Sequence, residues 1–274
     1  MHPSIQVRAL LAAAALLAAG PACASSTATT TLSAFQIWVK DLDLSDGVAP
    51  ALTLDPQARS QVVPDIRSIF SDTAWPQQGE TAFGAVSSGG QVGGSSASAS
   101  FAGDPFVDGA TIAANAQGGS PLDVASAAAY VLTDSGQDVL ILGAHTGVAF
   151  GGDVTIAWNA DNPAASAFGE VDLAFSTGPG SPVSVDILRY VTGGYYGGSS
   201  DGALSGSTSS PIIVWYENDS DSPLALAYEV FVYANASDLE MVPPPVDEPG
   251  SGLMLLAGAS LLWSLRRFRR DRSA

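Results

Sequence analysis

The sequence predicts an all-β fold, an antiparallel β-sandwich or jelly-roll-like body, and three observations carry that reading. Short runs with apolar residues at every second position recur through residues 25–241, the pattern of strands that turn one face to a core. Paired glycines separate the runs at Gly89-Gly90, Gly93-Gly94, Gly118-Gly119, Gly151-Gly152, Gly193-Gly194 and Gly197-Gly198, with Gly178-Pro179-Gly180 between two of them, as tight turns require. Charged residues make up only 14% of the chain, too few for many solvated helices. Many short strands joined by Gly- and Ser-rich turns read as a sandwich.

Residues 1–24 read as a secretory signal peptide with an N-terminal signal helix. Met1 to Arg8 is a short, mildly positive leader, and Ala9 to Gly20 is a 12-residue apolar run of mostly Ala and Leu. At about 1.5 Å per residue this run is too short for a hydrocarbon core of ~30 Å. Pro21 ends it, and Ala22 and Ala24 place small residues where signal peptidase reads, so cleavage is expected between Ala24 and Ser25. Lipidation of Cys23 is the alternative, but Gly20, Pro21 and Ala22 precede it without the usual leucine. Cleavage after Ala24 would leave a chain without cysteine, suited to an oxidising compartment.

The body, residues 25–241, supplies the strands. Ala97, Ala99 and Phe101 alternate with serines, Val154, Ile156 and Trp158 with Thr155 and Ala157, and Val171, Leu173 and Phe175 with Asp172 and Ala174. Val183, Val185 and Ile187 alternate with Ser184 and Asp186, and Ile212 to Tyr216 is a fully apolar run between Pro211 and the polar turn that starts at Glu217. Tyr228, Val230 and Val232 alternate with Glu229, Phe231 and Tyr233, apolar on both faces and therefore expected in a central strand. Two stretches have helical spacing: Ala58 to Phe70, interrupted by Pro64, and Leu122 to Leu132, which reads equally well as a strand.

Residues 242–274 differ in character. Val242 to Pro249 is a proline-rich spacer, stiff and unable to join a sheet interior. Gly252 to Leu265 is 14 apolar or small residues, about 21 Å as a short hydrophobic helix, with no polar stripe. Arg266, Arg267, Arg269 and Arg270 follow and would remain on the cytoplasmic side. This arrangement resembles the PEP-CTERM sorting signal of exported bacterial proteins. Glu248-Pro249 match the tripeptide, with Asp247 where the family has its first proline. Leu255-Leu256-Ala257-Gly258 match a favoured helix string, and the four arginines match the terminal cluster. The resemblance implies processing at Asp247, Glu248 and Pro249 by an exosortase, after transient anchoring in the inner membrane, with Arg266, Arg267, Arg269 and Arg270 as the retention element. The segment around Asp41-Leu42-Asp43 and the string Tyr216 to Leu224 also resemble parts of β proteins that carry this signal.

Charge is distributed along the same boundaries. The chain has 27 acidic and 10 basic residues, a formal net charge of −17. Residues 25–242 hold 24 acids and 4 bases, a formal −20, and the last 32 residues are net positive. Such a body excludes nucleic-acid binding, which needs Lys and Arg against phosphate. One cysteine excludes a disulfide scaffold or a cysteine-rich zinc site.

No motif points to catalysis. His145 is the one histidine outside the signal peptide and reads as a strand or turn residue. Gly198-Ser199-Ser200-Asp201-Gly202 fits Gly-x-Ser-x-Gly, but no histidine follows it and its setting is a Gly/Ser-rich loop. Asp41, Asp43, Ser45 and Asp46 resemble part of a calcium loop, with Gly47 one position late and no glutamate in twelfth place. Asn218, Asp219 and Asp221 form a second acidic turn, and both turns are expected to be solvated, with no cofactor required. Glu80, Glu170, Glu217, Glu229 and Glu240 lie in no paired-carboxylate motif. Trp75, Tyr195 and Tyr196 beside turns are candidate sugar-stacking rings.

The expectation is a non-enzymatic exported protein of the cell surface or an exopolysaccharide biofilm matrix. Its partners would be the Sec translocon, signal peptidase, an exosortase and extracellular polysaccharide. A carbohydrate-binding or adhesive module, with calcium as an aid, and a secreted hydrolase are the alternatives.

Overall fold

In the computed structural model the described residues are 25–54, 59–68, 78–82, 84–119, 123–132, 140–177, 186–197 and 202–238. They form an all-β body of two antiparallel sheets. The first sheet contains β1 (Ser26–Asp41), β5 (Val86–Val92), β6 (Ser95–Asp104), β7 (Gly109–Gly118), β10 (Thr146–Asn159) and β13 (Ser205–Asn218), in the order β13-β10-β1-β7-β6-β5. The second contains β3 (Arg59–Ser68), β4 (Gln78–Ala82), β8 (Asp123–Leu132), β11 (Ser166–Thr177), β12 (Asp186–Tyr195) and β14 (Leu224–Ser237), in the order β12-β11-β14-β8-β3-β4. Two short strands, β2 (Leu52–Thr53) and β9 (Leu140–Leu142), pair with each other, and β9 also pairs antiparallel with the start of β14.

The sheets stack in a sandwich-like way: β1 lies over β11 and β14, β7 over β14 and β8, and β6 over β3 and β8. Alternation explains why. Val154 and Ile156 on β10 and Val171, Leu173 and Phe175 on β11 all point into one shared core. At its centre the Phe150 ring lies 6.1 Å from Phe35, 4.7 Å from Phe175 and 5.5 Å from Tyr228. Such ring pairs add ~0.5–1.5 kcal/mol each beyond their buried area. Toward β6, β7 and β8 the core thins to alanine, with Ala97, Ala99, Ala114, Ala116, Ala125, Ala127 and Ala129 all buried. The strand predicted as central, β14, lies between β11 and β8.

The predicted helical stretch Ala58–Phe70 is corrected: Arg59–Ser68 is strand β3. Val62, Pro64 and Ile66 all face inward there, so period two prevails over the apparent helical spacing. Pro64 is accommodated because the pairing with β4 ends at Val62, leaving β8 as the described neighbour at Pro64. A proline is tolerated where its missing N–H faces no partner strand. The second ambiguous stretch resolves as strand β8. The stretches predicted as terminal helices, and with them Ala22, Ala24, Asp247 to Pro249 and the four arginines, lie outside the described residues, whereas Ser25 immediately precedes β1.

The two ends of the body meet. The Ser26 N–H donates to Asp238 Oδ1 at 3.1 Å, and the Ser26 hydroxyl makes a short contact with the same oxygen. Both residues are buried. Burial pushes the Asp238 carboxyl above its ordinary range, while the Ser26 donors pull it the other way.

Candidate functional site

A one-residue β-bulge sets up the most conspicuous surface feature. Along β1, Ala28, Thr30 and Leu32 face inward. Ala34 then takes a φ of 49° and the pairing slips between Ser33 and Gln36. The slip inverts the alternation, so Phe35 and Ile37 are buried and Trp38 faces solvent. Without the extra residue the aromatic pattern would be reversed, which is what bulges do to side-chain direction.

Trp38 pairs with Ala149 on β10, and Ala149 pairs with Trp215 on edge strand β13. Their backbone positions therefore stand two strand spacings apart, about 9.6 Å, with Ala149 between them. Trp38 is 44% exposed, Trp215 58% and neighbouring Ile213 54%. A shallow groove of about 280 Å³ runs here. Its floor is kept low by Gly147 and Ala149. A Cβ on Gly151 would lie 3.1 Å from Trp38 Cζ3 and 2.8 Å from the Ile212 carbonyl oxygen. Glycine thus leaves the space the indole occupies against the sheet. Lys40 and Glu217 close one end of the groove as an ion pair of 3.6 Å.

The rest of this outer face is sparsely charged and rich in hydrogen-bonding groups. Among the described residues, outward positions of β13, β10, β1 and β7 carry Asp153 and the Lys40–Glu217 pair and no other charge. Thr27, Thr29, Ser96, Ser98, Asn115 and Gln117 line a second groove of about 420 Å³ on the same face.

The outer face of the other sheet has the opposite character. Tyr196 stacks on Phe168 at 4.5 Å, Phe168 is 5.9 Å from Tyr233, Tyr233 is 5.7 Å from Phe231, and Phe231 is 4.9 Å from Tyr130. Acids interleave this ladder: Asp172 is the β11 partner of Phe231, and Glu170 the partner of Tyr233. Burial, then the charges of Glu170 and Glu229, push the Asp172 carboxyl up to about 6. One of its oxygens, Oδ1, is buried without a hydrogen-bond partner.

The two acidic turns and His145 come together at one end of the body. His145 sits in the turn before β10 with a φ of 49°, its Nε2 2.9 Å from Asp221 Oδ1. Ligand atoms of Asp43, Asp46 and His145 lie within 4.8 Å of one another, a set able to hold a divalent cation. The acids already have turn roles. Asp41 accepts from the Asp43 N–H at 3.0 Å, Asp43 from Ser45 N–H at 2.9 Å and Asp46 from Val48 N–H at 2.7 Å, as Asx turns do. The Ser45 hydroxyl and N–H hold the Asp43 carboxyl below its ordinary range. Asn218 is buried and structural: its Nδ2 donates to the Gly143 and Ser222 carbonyls at 2.8 and 2.9 Å, and its Oδ1 accepts from Ser220.

Of the predicted stacking rings, Tyr195 is buried and donates its hydroxyl to the Pro163 carbonyl at 3.0 Å. Tyr196 is 52% exposed and belongs to the ladder. Trp75, Glu240 and Gly198 to Asp201 lie outside the described residues, as does the side chain of Glu80. Glu170 and Glu229 fall on the aromatic face, and Glu217 at the groove end. Sequence reasoning missed the Trp38–Trp215 platform. The spacing of three between buried Leu32 and Phe35 was its signal, because unbroken alternation requires an even spacing.

No protein-family profile, curated protein or solved structure matches the chain.

Proposed function

We propose that this is a non-enzymatic exported protein, delivered to the cell surface or an exopolysaccharide matrix by a signal peptide and a PEP-CTERM-like C-terminal signal. The observation that carries this reading is the order of the segments: an export leader, one acidic β body, a proline spacer, a short apolar stretch and an arginine cluster. Each part has a physical role. The leader directs the chain through the Sec translocon, and signal peptidase releases it between Ala24 and Ser25. The apolar stretch Gly252 to Leu265 holds the chain in the inner membrane, and Arg266, Arg267, Arg269 and Arg270 keep the tail's end cytoplasmic. An exosortase acts at Asp247, Glu248 and Pro249 and frees the body, a β-sandwich of jelly-roll type. The net charge of −20 keeps the body soluble and away from anionic membrane surfaces.

Localisation in the exporting host tests the reading. Replacing the four arginines with serine is expected to abolish retention and leave the chain unsorted and unprocessed. Unchanged delivery of that variant would overturn the retention role. Deleting the exosortase is expected to trap the unprocessed chain in the inner membrane. A second reading, a carbohydrate-binding module, is favoured by the paired indoles of Trp38 and Trp215 on a sparsely charged face.

A further inference from the structure

We infer that the Trp38–Trp215 platform is a binding site for a neutral polysaccharide whose pyranose rings lie flat, an equatorially linked chain such as a β-1,4-glucan. The inference goes beyond export and sorting and stands or falls independently of them, since it concerns the body's own surface.

Three observations select this occupant. The first is shape. Two exposed indoles flank a strand reduced to Gly147 and Ala149 in the groove, so a ribbon-like ligand can span both rings over a low floor. The apolar C–H face of a pyranose packs on an aromatic face, while its ring hydroxyls point sideways. Chains with equatorial linkages present such faces in succession, whereas axially linked chains coil away from a plane.

The second is charge. The body is a formal −20, yet the groove carries only the mutually compensating Lys40 and Glu217. A polyanionic glycan would meet the repulsive field of the body. A cationic ligand over the indoles, which aromatic faces otherwise attract, would have the Lys40 ammonium beside it. A neutral ligand meets neither obstacle, and Lys40 and Glu217 offer a donor and acceptors to hydroxyls at the rim.

The third is area. Two half-exposed indoles and one isoleucine present roughly 300 Å² of apolar surface, given 150–250 Å² for a whole aromatic side chain. A stable protein–protein interface needs about 800 Å² per partner, so a second copy of the chain or a folded protein is a poor fit. A patch of this size suits a ligand a few sugar rings long.

The test uses the full chain purified in a detergent without a sugar headgroup. Binding of cellohexaose is read by isothermal titration calorimetry and by tryptophan fluorescence. Soluble amylose, polygalacturonate and phosphocholine serve as comparison ligands, and sedimentation reports self-association. Saturable binding of cellohexaose is expected, at least tenfold stronger than of amylose or polygalacturonate. Trp38→Ala and Trp215→Ala are each expected to weaken it tenfold or more, and Trp215→Phe to restore part of the loss. Ala149→Arg fills the floor between the rings without touching the core. It is expected to abolish binding in a chain that melts like the wild type, which keeps the test decisive if an alanine variant fails to fold. Absent cellohexaose binding, binding unaffected by Ala149→Arg, preference for phosphocholine or polygalacturonate, or dimerisation through Trp215 would each overturn the inference. None of these results alters where the chain is delivered in the cell, so failure here is separable from failure of the sorting reading.

Discussion

Replacing Asp172 with asparagine is expected to stabilise the protein at neutral pH, with the gain fading as the pH falls from 6 to 4. Asp172 faces outward on β11 between Tyr190 of β12 and Phe231 of β14. Burial first, and then the charges of Glu170 and Glu229, raise its carboxyl from 3.8 to about 6. A carboxyl raised on folding binds its proton more tightly in the native state. Its contribution is therefore favourable below about pH 4 and is lost as the pH rises through 6. Taken in full, the change from 3.8 to about 6 corresponds to about 3 kcal/mol at 1.36 kcal/mol per unit. The group is only partly buried, and water screens it, so about 1 kcal/mol is the expected net effect. Asparagine keeps the size and hydrogen-bonding capacity but carries no charge. In a body of this size 1 kcal/mol moves the Tm by about 2–4 °C. Thermal melts by circular dichroism from pH 3.5 to 8 measure the effect directly. A variant that melts at or below the wild-type temperature at pH 7.5, or with a pH-independent gain, would refute the proposed cost of burying this carboxylate beside like charges.

The core makes sharper demands. Gly169 faces Thr30 across the two sheets, and a Cβ there would overlap the Thr30 hydroxyl and lie 2.9 Å from Ile156 Cγ2; Gly169→Ala is expected to lose about 2 kcal/mol in urea titrations. The same Thr30 hydroxyl is buried with no hydrogen-bond partner, so Thr30→Val is expected to gain about 1 kcal/mol in the same assay. Phe150→Ala removes the hub of the aromatic cluster and is expected to cost about 3–5 kcal/mol. Asp238→Ala removes the acceptor that ties Ser26 to the end of β14 and is expected to lose about 1–3 kcal/mol, measured at pH 7.

Much of the architecture was legible because a half-buried strand writes its burial into alternate residues. Val154-Ile156-Trp158, Val171-Leu173-Phe175 and Tyr228-Val230-Val232 each mark a strand and its inner face. Pro64 concealed β3 because proline signals a break in any local pattern, yet here it sits within the β8 ladder, beyond the point where the pairing with β4 ends. The platform was hidden for two reasons. The bulge at Ala34 inverts the phase of β1, so the outward position of Trp38 follows from one inserted residue. The run Ile212 to Tyr216 reads as uniformly apolar, whereas an edge position lets Ile213 and Trp215 face water while Ile212 and Val214 fill the core. Long-range assembly is also outside local pattern: His145 and Asp221 lie 76 residues apart in the chain and 2.9 Å apart in space. The segregation of charge, with acids on the aromatic ladder and neutrality around Trp38, depends on which strands share a sheet, and no window of sequence contains that.

The central claim, export followed by C-terminal sorting, is tested most directly by the mass of the mature protein isolated from the surface of its host. The account predicts an N-terminus at Ser25 and a C-terminus near Asp247-Glu248-Pro249, with Leu253 to Arg270 removed. A surface-located protein that still carries Leu253 to Arg270 would contradict it.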